Sequence, residues 1–176
     1  MKKTILYFTA TLFTLYFFPA CTPGDGSTDN NGVLEIGLVC SDLNKSLDFY
    51  KNIIGMVEAG GFEVEGQLGA DLGLSDGRPF SVKKLKLVDS PTATILKLAH
   101  CPGVPDSLRP PAYVHEAPGV QYLSIEVAST KLIKERLSKN GYKLLGKTPV
   151  AMGEGREFVM VQDPNGVFVE IVGSSE

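Results

Sequence analysis

The chain has 176 residues, 43% of them apolar and 21% charged, which is ordinary for a globular protein and enough for one compact domain or two small modules. The formal net charge of −3 argues against nucleic acid, or a polybasic membrane-binding surface, as the main partner. With His100 and His115 as its two histidines, a single chain cannot build a His-rich metal site.

The N-terminal segment has the composition of an export signal. Lys2 and Lys3 precede an apolar stretch, Thr4–Phe18, that is too short to cross a bilayer comfortably. The motif Phe18-Pro19-Ala20-Cys21 resembles the processing site of bacterial lipoproteins, with Ala before the Cys as expected and with Phe and Pro in place of the usual Leu and small residue. This resemblance implies that Cys21 becomes the lipidated N-terminus; the alternative is an ordinary cleaved signal.

The segment that follows the signal is polar and rich in turn-forming residues. We therefore predict a lipoprotein signal peptide over residues 1–20 and a flexible tether over 21–32, because TPGDGSTDNNG has nothing to bury. The expected location is the cell envelope, periplasmic or surface-facing, and the lipid is the only expected contact with the membrane.

The first folded module is predicted over residues 33–100, in the order strand, helix, strand, strand, strand. Its helix should begin at Ser41 or Asp42 as the capping residue and end at Gly55. Apolar residues spaced four, three and four apart would form one face of that helix. The predicted strands are Val33–Cys40, Glu58–Gly66, Pro79–Val88 and Thr92–His100, and Gln67–Arg78 is predicted to be a loop with at most a helical turn.

A second module with the same order of elements is predicted over residues 119–176, after a Pro-rich linker over 101–118. Its helix should begin after Ser129 or Thr130 and end at Asn140-Gly141. The turn Asp163-Pro164-Asn165-Gly166 should join the last two strands, since Pro and Asn-Gly suit tight turns. The predicted strands are Val120–Val127, Tyr142–Lys147, Arg156–Gln162 and Val167–Val172.

This paired order resembles the vicinal-oxygen-chelate superfamily, which includes glyoxalase I, methylmalonyl-CoA epimerase, extradiol dioxygenases, and bleomycin- and fosfomycin-resistance proteins. Four segments carry the resemblance: LEIGLVCSDLNKSLDFYKNIIGM (34–56), GADLGLSDGRPFSVKKLKL (69–87), GVQYLSIEVAS (119–129) and DPNGVFVEIV (163–172). The resemblance implies an α+β fold in which two βαβββ modules form curved sheets around a cleft.

In the metal-dependent members, the resemblance places one divalent ion in that cleft. The four ligand positions fall here on Glu35, Lys97, Tyr122 and Glu170, and only Glu170 keeps the family residue. Glu35 has oxygen ligands suited to a hard ion, whereas Lys97 cannot bind a metal while it is protonated. Tyr122 would first have to lose a proton with a pKa of about 10.

Two carboxylates left unpaired in a partly dry cleft would be costly. We therefore expect the ammonium group of Lys97 to stand where the metal stood, bonded by both Glu35 and Glu170, with the hydroxyl of Tyr122 completing the site. No metal and no other cofactor are expected on this interpretation. The alternative is that Lys97 extends to solvent and the site has no function.

Three functions remain open on the sequence. The first is a lipid-anchored protein that binds a small organic ligand without metal, as bleomycin-resistance proteins do. The second is a lyase, isomerase or epimerase of the glyoxalase I type, with Glu170 as the catalytic base and a divalent metal held by Glu35 and Glu170. The third is an envelope interaction module with a vestigial cleft. A homodimer is compatible with each of them.

Two pairs of residues leave further alternatives. The family resemblance implies that the first and last strands of the first module are parallel neighbours, so Cys40 and Cys101 should lie at the same end of them. Their positions along the strands put them on opposite faces, which favours two free thiols over a disulfide. Tyr113 and His115 in the linker either flank the cleft or lie at the surface without a function.

Overall fold

Two sheets and their helices make up the part of the chain described by the computed structural model, which covers residues 33–105 and 110–176. In chain order the elements are β1 (Glu35–Val39), α1 (Leu43–Leu47, continued as a π-helical segment over Asp48–Ile54), β2 (Val57–Val64), α2 (Gly66–Asp71), β3 (Phe80–Lys86), β4 (Ile95–His100), β5 (Tyr122–Ser129), α3 (Lys131–Lys139), β6 (Val150–Gly153), β7 (Arg156–Gln162) and β8 (Phe168–Ser174). The predicted signal peptide, the tether and Cys21 lie outside the described residues.

Each sheet has four strands, and the two sheets have equivalent topologies. The strand order is β1-β4-β3-β2 in the first sheet and β5-β8-β7-β6 in the second. In both sheets the first strand pairs in parallel with the last, and the remaining pairs are antiparallel. The predicted α+β fold of two βαβββ modules is therefore confirmed. No helix in the described ranges has the length and apolarity needed to span a bilayer.

The ends of α1 follow the local chemistry that the sequence predicts. The side chain of Asp42 accepts a hydrogen bond from the backbone N–H of Lys45, which satisfies one of the free donors of the first turn. The helix ends at Gly55, whose φ of 96° lies in the left-handed region that favours glycine.

One predicted strand is wrong. The segment Tyr142–Lys147 is irregular, and the outer strand of the second sheet is instead β6, a few residues later. The N–H of Tyr142 bonds the carbonyl of Leu137 at the end of α3, and the Tyr142 ring packs 5.1 Å from the ring of Phe49. Tertiary packing of this aromatic ring therefore overrides the local preference for a strand.

The helices α1 and α3 pack against their sheets in one continuous hydrophobic core. Every second residue of the central strands points into it, as the period of a strand requires. Its fully buried members include Phe49, Tyr50, Ile53, Leu85, Leu98, Leu137, Val159, Val169 and Ile171. The opposite face of each sheet is consequently free to form a site.

The turn between β7 and β8 joins the two modules. Asp163 is buried, and its carboxylate accepts hydrogen bonds from the hydroxyl of Tyr50 at 3.0 Å and from the N–H of Val167 at 2.8 Å. Asn165 accepts from the N–H of Ser41 at 3.2 Å and bonds the hydroxyl of Ser46 at 3.0 Å. Burial, followed by the nearby charge of Asp163, raises the pKa of Tyr50 well above its usual value, so its hydroxyl remains a donor.

Candidate functional site

The face of the first sheet that points away from the core carries an ion pair. Glu35 lies on β1 and Lys97 on the adjacent parallel strand β4, where Gly37 is the register partner of Lys97. The ammonium group of Lys97 contacts the carboxylate Oε2 of Glu35, and the two side chains are 30% and 32% exposed. The structure therefore brings two of the four predicted site residues into direct contact.

The electrostatics of this pair favour the charged forms. The hydrogen bond from Lys97 lowers the pKa of Glu35; partial desolvation opposes this, and the positive charges of Lys97 and Lys84 lower it further. Glu35 is therefore a carboxylate whose charge is already matched by a neighbouring cation.

Glu170 lies on the equivalent face of the second sheet. It is the register partner of Ser124 on the parallel strand β5, and the Ser124 hydroxyl donates to Glu170 Oε1 at 3.1 Å. Among the ion pairs within 4.0 Å in the described residues, Lys97 contacts Glu35 and not Glu170. Lys97 was expected to contact both Glu35 and Glu170. It contacts Glu35, whereas Glu170 accepts its hydrogen bond from Ser124.

Tyr122 lies at the border between the two modules. Its side chain is 51% exposed and lines a groove of about 550 Å³ together with Glu35 and Ser124. The groove runs between β1 and β5, the edge strands at which the two modules meet. Glu35 and Tyr122 therefore line this groove, and Lys97 contacts Glu35. Glu170 is hydrogen-bonded to Ser124, which also lines the groove.

The residues at the four family positions do not suit a divalent metal. Protein sites for zinc and calcium commonly supply three or more oxygen, nitrogen or thiolate ligands. Here one of the four positions is Lys97, whose amine contacts Glu35, and another is the phenol of Tyr122. No group of three or more His, Cys, Asp or Glu in residues 33–105 and 110–176 is arranged to hold a metal ion.

A second, more apolar cavity lies on the same face of the first sheet, beside the ion pair. Its volume is about 520 Å³, and it is bounded by all four strands of that sheet and by α2 with the loop that follows. Its lining residues are Glu35, Gly37, Val39, Phe62, Glu63, Val64, Leu68, Leu72, Leu74, Phe80, Val82, Lys97, Ala99 and Cys101.

The linker covers part of the second sheet. The rings of Tyr113 and His115 stack with their centroids 5.6 Å apart and line a pocket of about 310 Å³ with Phe168. These two linker residues therefore lie against the cleft face of the second module. The other histidine, His100, contacts the carbonyl of Cys40 through Nδ1 at 3.1 Å.

Cys40, which follows β1, and Cys101, which follows β4, are free thiols. Cys40 is buried in the main core, whereas Cys101 packs on the cavity side against Val64, Phe80 and Val82. They lie on opposite faces of the sheet, as the strand alternation predicts.

Two residues near the site, Ser124 and Lys84, are not among those predicted from the sequence. Ser124 becomes a partner of Glu170 through the β5–β8 register, and Lys84 becomes the register partner of Lys97 through the antiparallel β3–β4 pair. The first could have been suspected from its place two residues after Tyr122, which puts both on one face of the strand. The second depends on the register across the β3–β4 connection.

Solved structures with the same fold include proteins from three distant organisms. A glyoxalase family protein from Bacillus cereus is 16% identical with a TM-score of 0.69, over 86% of this chain and 99% of that one. The trypanothione-dependent glyoxalase I of Leishmania major is 21% identical with a TM-score of 0.56, over 80% and 84%. A glyoxalase/dioxygenase from Nostoc punctiforme is 21% identical with a TM-score of 0.55, over 89% and 97%.

These identities establish a shared fold and leave the chemistry open. No curated protein sequence matches the chain. The sequence model of one family does match, over residues 32–171, which includes both modules and the linker. The chain therefore belongs to the Glyoxalase/Bleomycin resistance protein/Dioxygenase superfamily.

Proposed function

We propose that this chain is an exported, lipid-anchored member of the superfamily that binds a small organic ligand in its cleft without a divalent metal. The observation that carries the proposal is the contact between Lys97 and Glu35, which occupies two of the four positions that metal-dependent members use for ligands. An ammonium group satisfies the charge of the carboxylate and removes the need for an ion from solution.

The space around the ion pair suits a small molecule. The groove of about 550 Å³ between the modules and the cavity of about 520 Å³ beside it both include Glu35 in their lining. Small-molecule sites commonly have volumes of about 300–1,000 Å³, mostly apolar walls and a few polar groups that fix the ligand's orientation. Glu35, Lys97 and the hydroxyl of Tyr122 would supply such polar groups.

The first experiment combines elemental analysis of the purified protein with a thermal-shift screen of small organic compounds. We expect no stoichiometric divalent metal, and we expect ligands that raise the melting temperature in the presence of a chelator. A stoichiometric metal would contradict the proposal and favour the lyase, isomerase or epimerase, with Glu170 as base. The absence of both metal and ligand would favour an interaction module.

The export and lipid anchor rest on the sequence before the folded part. Lys2 and Lys3, the apolar stretch up to Phe18, and Cys21 support them. Cells labelled with an alkyne analogue of palmitate should yield labelled protein in the membrane fraction. The Cys21→Ser variant should lose the label, and a Cys101→Ser variant should keep it. A label that survives in Cys21→Ser would contradict the lipid anchor.

A further inference from the structure

The cavity of about 520 Å³ beside Glu35 and Lys97 has mainly apolar walls. Strands β2 and β3 supply much of its floor, and α2 with the loop after it supplies its roof. The floor residues are Phe62, Val64, Phe80 and Val82, and the roof residues are Leu68, Leu72 and Leu74. Strand alternation keeps the floor side chains on the face opposite the main core, where three of them form a separate cluster.

Several apolar residues of this cavity are poorly covered. The roof leucines are 50%, 59% and 64% exposed, and Phe62 is 43% exposed. Single exposed apolar residues are common, but a group of them around one cavity marks a surface that gains from contact with another apolar molecule. The body of the ligand should therefore be apolar.

The charged residues that line the cavity do not require an ion from the ligand. They are Glu35, Glu63 and Lys97. Lys97 is in contact with Glu35, so the positive charge among them is already matched. Glu63 is an exposed residue of β2, and water can solvate its carboxylate. With two acids and one base along the wall, an organic anion is the least suitable ligand.

Gly37 leaves an open space at the polar end of the cavity. It lies in the middle of β1, on the same face as Glu35, and it is the register partner of Lys97. Its φ is not among the positive values of the chain, so the backbone does not require glycine there. A Cβ placed on Gly37 would meet no atom of the described residues within 4 Å.

The glycine therefore has no structural explanation in its own strand or in its surroundings. Glycine weakens a strand because it adds conformational freedom and has no side chain to pack. Within a strand it often marks a place where a ligand approaches the backbone closely. The space over Gly37 lies beside the ion pair, at the end of the cavity where a polar group of a ligand would be satisfied.

We propose that this cavity binds an uncharged, mostly apolar organic molecule, whose hydroxyl or amide group lies over Gly37 and bonds both Glu35 and Lys97. This inference rests on the proposed function, whose ligand it assigns to a chemical class. A hydroxyl group donates to the carboxylate and accepts from the ammonium group. A carboxylate would be repelled by Glu35, and an ammonium group would be repelled by Lys97.

Three probes with the same chain length test the charge preference: 1-octanol, octanoate and octylammonium at neutral pH. Each is titrated into the purified protein below its solubility limit, and binding is followed by protein-observed NMR. We expect octanol to bind about tenfold more tightly than either ion, because the ions lose more hydration, and octanoate to bind most weakly. Either ion binding as tightly as octanol would overturn the proposal.

Substitutions at Gly37 test the open space. Gly37→Val should weaken octanol binding by about tenfold, and Gly37→Ala should weaken it less, because the added side chain fills the space beside the ion pair. The melting temperature of Gly37→Val should not fall, since its Cβ has room and valine suits a strand. Wild-type affinity in Gly37→Val, or a large fall in its melting temperature, would overturn the proposal.

A pair of exposed apolar residues distinguishes the cavity from the groove between the modules. Leu72 lies in the cavity roof, whereas Val120 lines the groove, and the two are 59% and 75% exposed. Leu72→Asn should weaken octanol by about threefold, and Val120→Asn should leave its affinity unchanged. A loss in Val120→Asn as large as in Leu72→Asn would place the probe in the groove and overturn the assignment to the cavity.

Failure of this inference can be told from failure of the proposed function. If octanol does not bind while the thermal-shift screen finds a charged ligand, the assignment to uncharged molecules fails and the proposed function stands. If neither experiment finds a ligand, both fail.

Discussion

The two modules share an order of elements, but they fix their helices in different ways. In the first module, Tyr50 and Ser46 on α1 bond Asp163 and Asn165 of the other module. In the second module, the helix is attached to its own sheet: Lys134 and Thr130 both contact Glu157 on β7. The first helix therefore bonds buried polar groups of the second module, whereas the second helix bonds a buried glutamate of its own sheet and contacts the first module through Arg136, which donates to the carbonyl of Ile53 at 3.2 Å.

This difference extends to the cleft faces of the sheets. The first sheet presents an ammonium–carboxylate pair and an open apolar cavity, and the second presents Glu170 with Ser124 and a pocket under the linker. Modules of one topology thus carry different groups on their cleft faces.

The largest effect on stability should come from the joint between the modules, by which we mean the hydrogen bonds of the turn 163–166 with Tyr50, Ser46 and Ser41. In Asp163→Ala, the hydroxyl of Tyr50 and the N–H groups of Asn165 and Val167 lose a buried acceptor. We expect the free energy of unfolding to fall by about 3 kcal/mol, measured by urea denaturation. Tyr50→Phe should cost about 1 kcal/mol, because it removes a single hydrogen bond.

An exposed aspartate provides the control for this experiment. Asp76 bonds the guanidinium of Arg78 within its own loop, and its side chain is 67% exposed. Asp76→Ala should therefore leave the urea midpoint unchanged. Equal effects of Asp76→Ala and Asp163→Ala would show that the joint has no special role.

The contacts of Glu157 with Thr130 and Lys134, within the second module, should contribute less to the free energy of unfolding. Glu157→Ala removes the acceptor of Thr130 and Lys134, and we expect a loss of about 2 kcal/mol in the free energy of unfolding. Burial raises the pKa of Glu157, but the hydrogen bonds from Lys134 and Thr130 and the charge of Lys134 outweigh it, so the pKa is lowered overall.

The lowered pKa of Glu157 makes the contribution of these contacts to stability depend on pH. Its contribution is fully present above the pKa of an unfolded glutamate, about 4.3, and disappears as the pH falls through the lower pKa of the folded state. The difference in unfolding free energy between wild type and Glu157→Ala should be constant near neutral pH and shrink below about pH 4. A difference that grows on acidification would contradict the assigned contact.

A metal titration tests whether Lys97 stands in place of a metal ion on the cleft face of the first sheet. Lys97→Glu replaces the ammonium group with a carboxylate at a family ligand position. We expect Mn²⁺ to raise the melting temperature of this variant by about 3 °C and to leave the wild type unchanged. Lys83→Glu, on the opposite face, should show no such rise. A shift in the wild type would mean that the lysine does not replace the ion.

The smallest effect on stability should come from the ion pair itself. Because Lys97 and Glu35 are each about a third exposed, Lys97→Met should barely change the urea midpoint. It should, however, raise the pKa of Glu35, measured from the carboxyl carbon by NMR, because the hydrogen bond and the charge that lower it are gone. Lys51→Met should leave that pKa unchanged; an unchanged value in Lys97→Met would contradict the contact.

Most of the fold follows from local sequence signals. The cap at Asp42, the end at Gly55 and the turn 163–166 each use a residue whose own chemistry determines the local conformation. The strand predicted over Tyr142–Lys147 failed because the position of Tyr142 is determined by its contact with Phe49, which is distant in sequence. Local propensity cannot report such a contact.

The site was harder to predict than the fold for the same reason. The pairing of Lys97 with Glu35 followed from the parallel neighbours β1 and β4, which the family resemblance supplies. Ser124 as the donor to Glu170, and Lys84 opposite Lys97, depend on strand register. A shift of one residue would move either side chain to the other face, so residue types alone do not determine these neighbours.

The turn 163–166 also bears on assembly. Its bonds to α1 link one module to the other, and their geometry is the same whether both modules come from one chain or from two copies. We therefore expect the length of the linker, residues 101–118, to decide between a self-closed monomer and a dimer with exchanged halves. Deleting part of this stretch should shift the protein toward the exchanged dimer while every contact of the joint is kept.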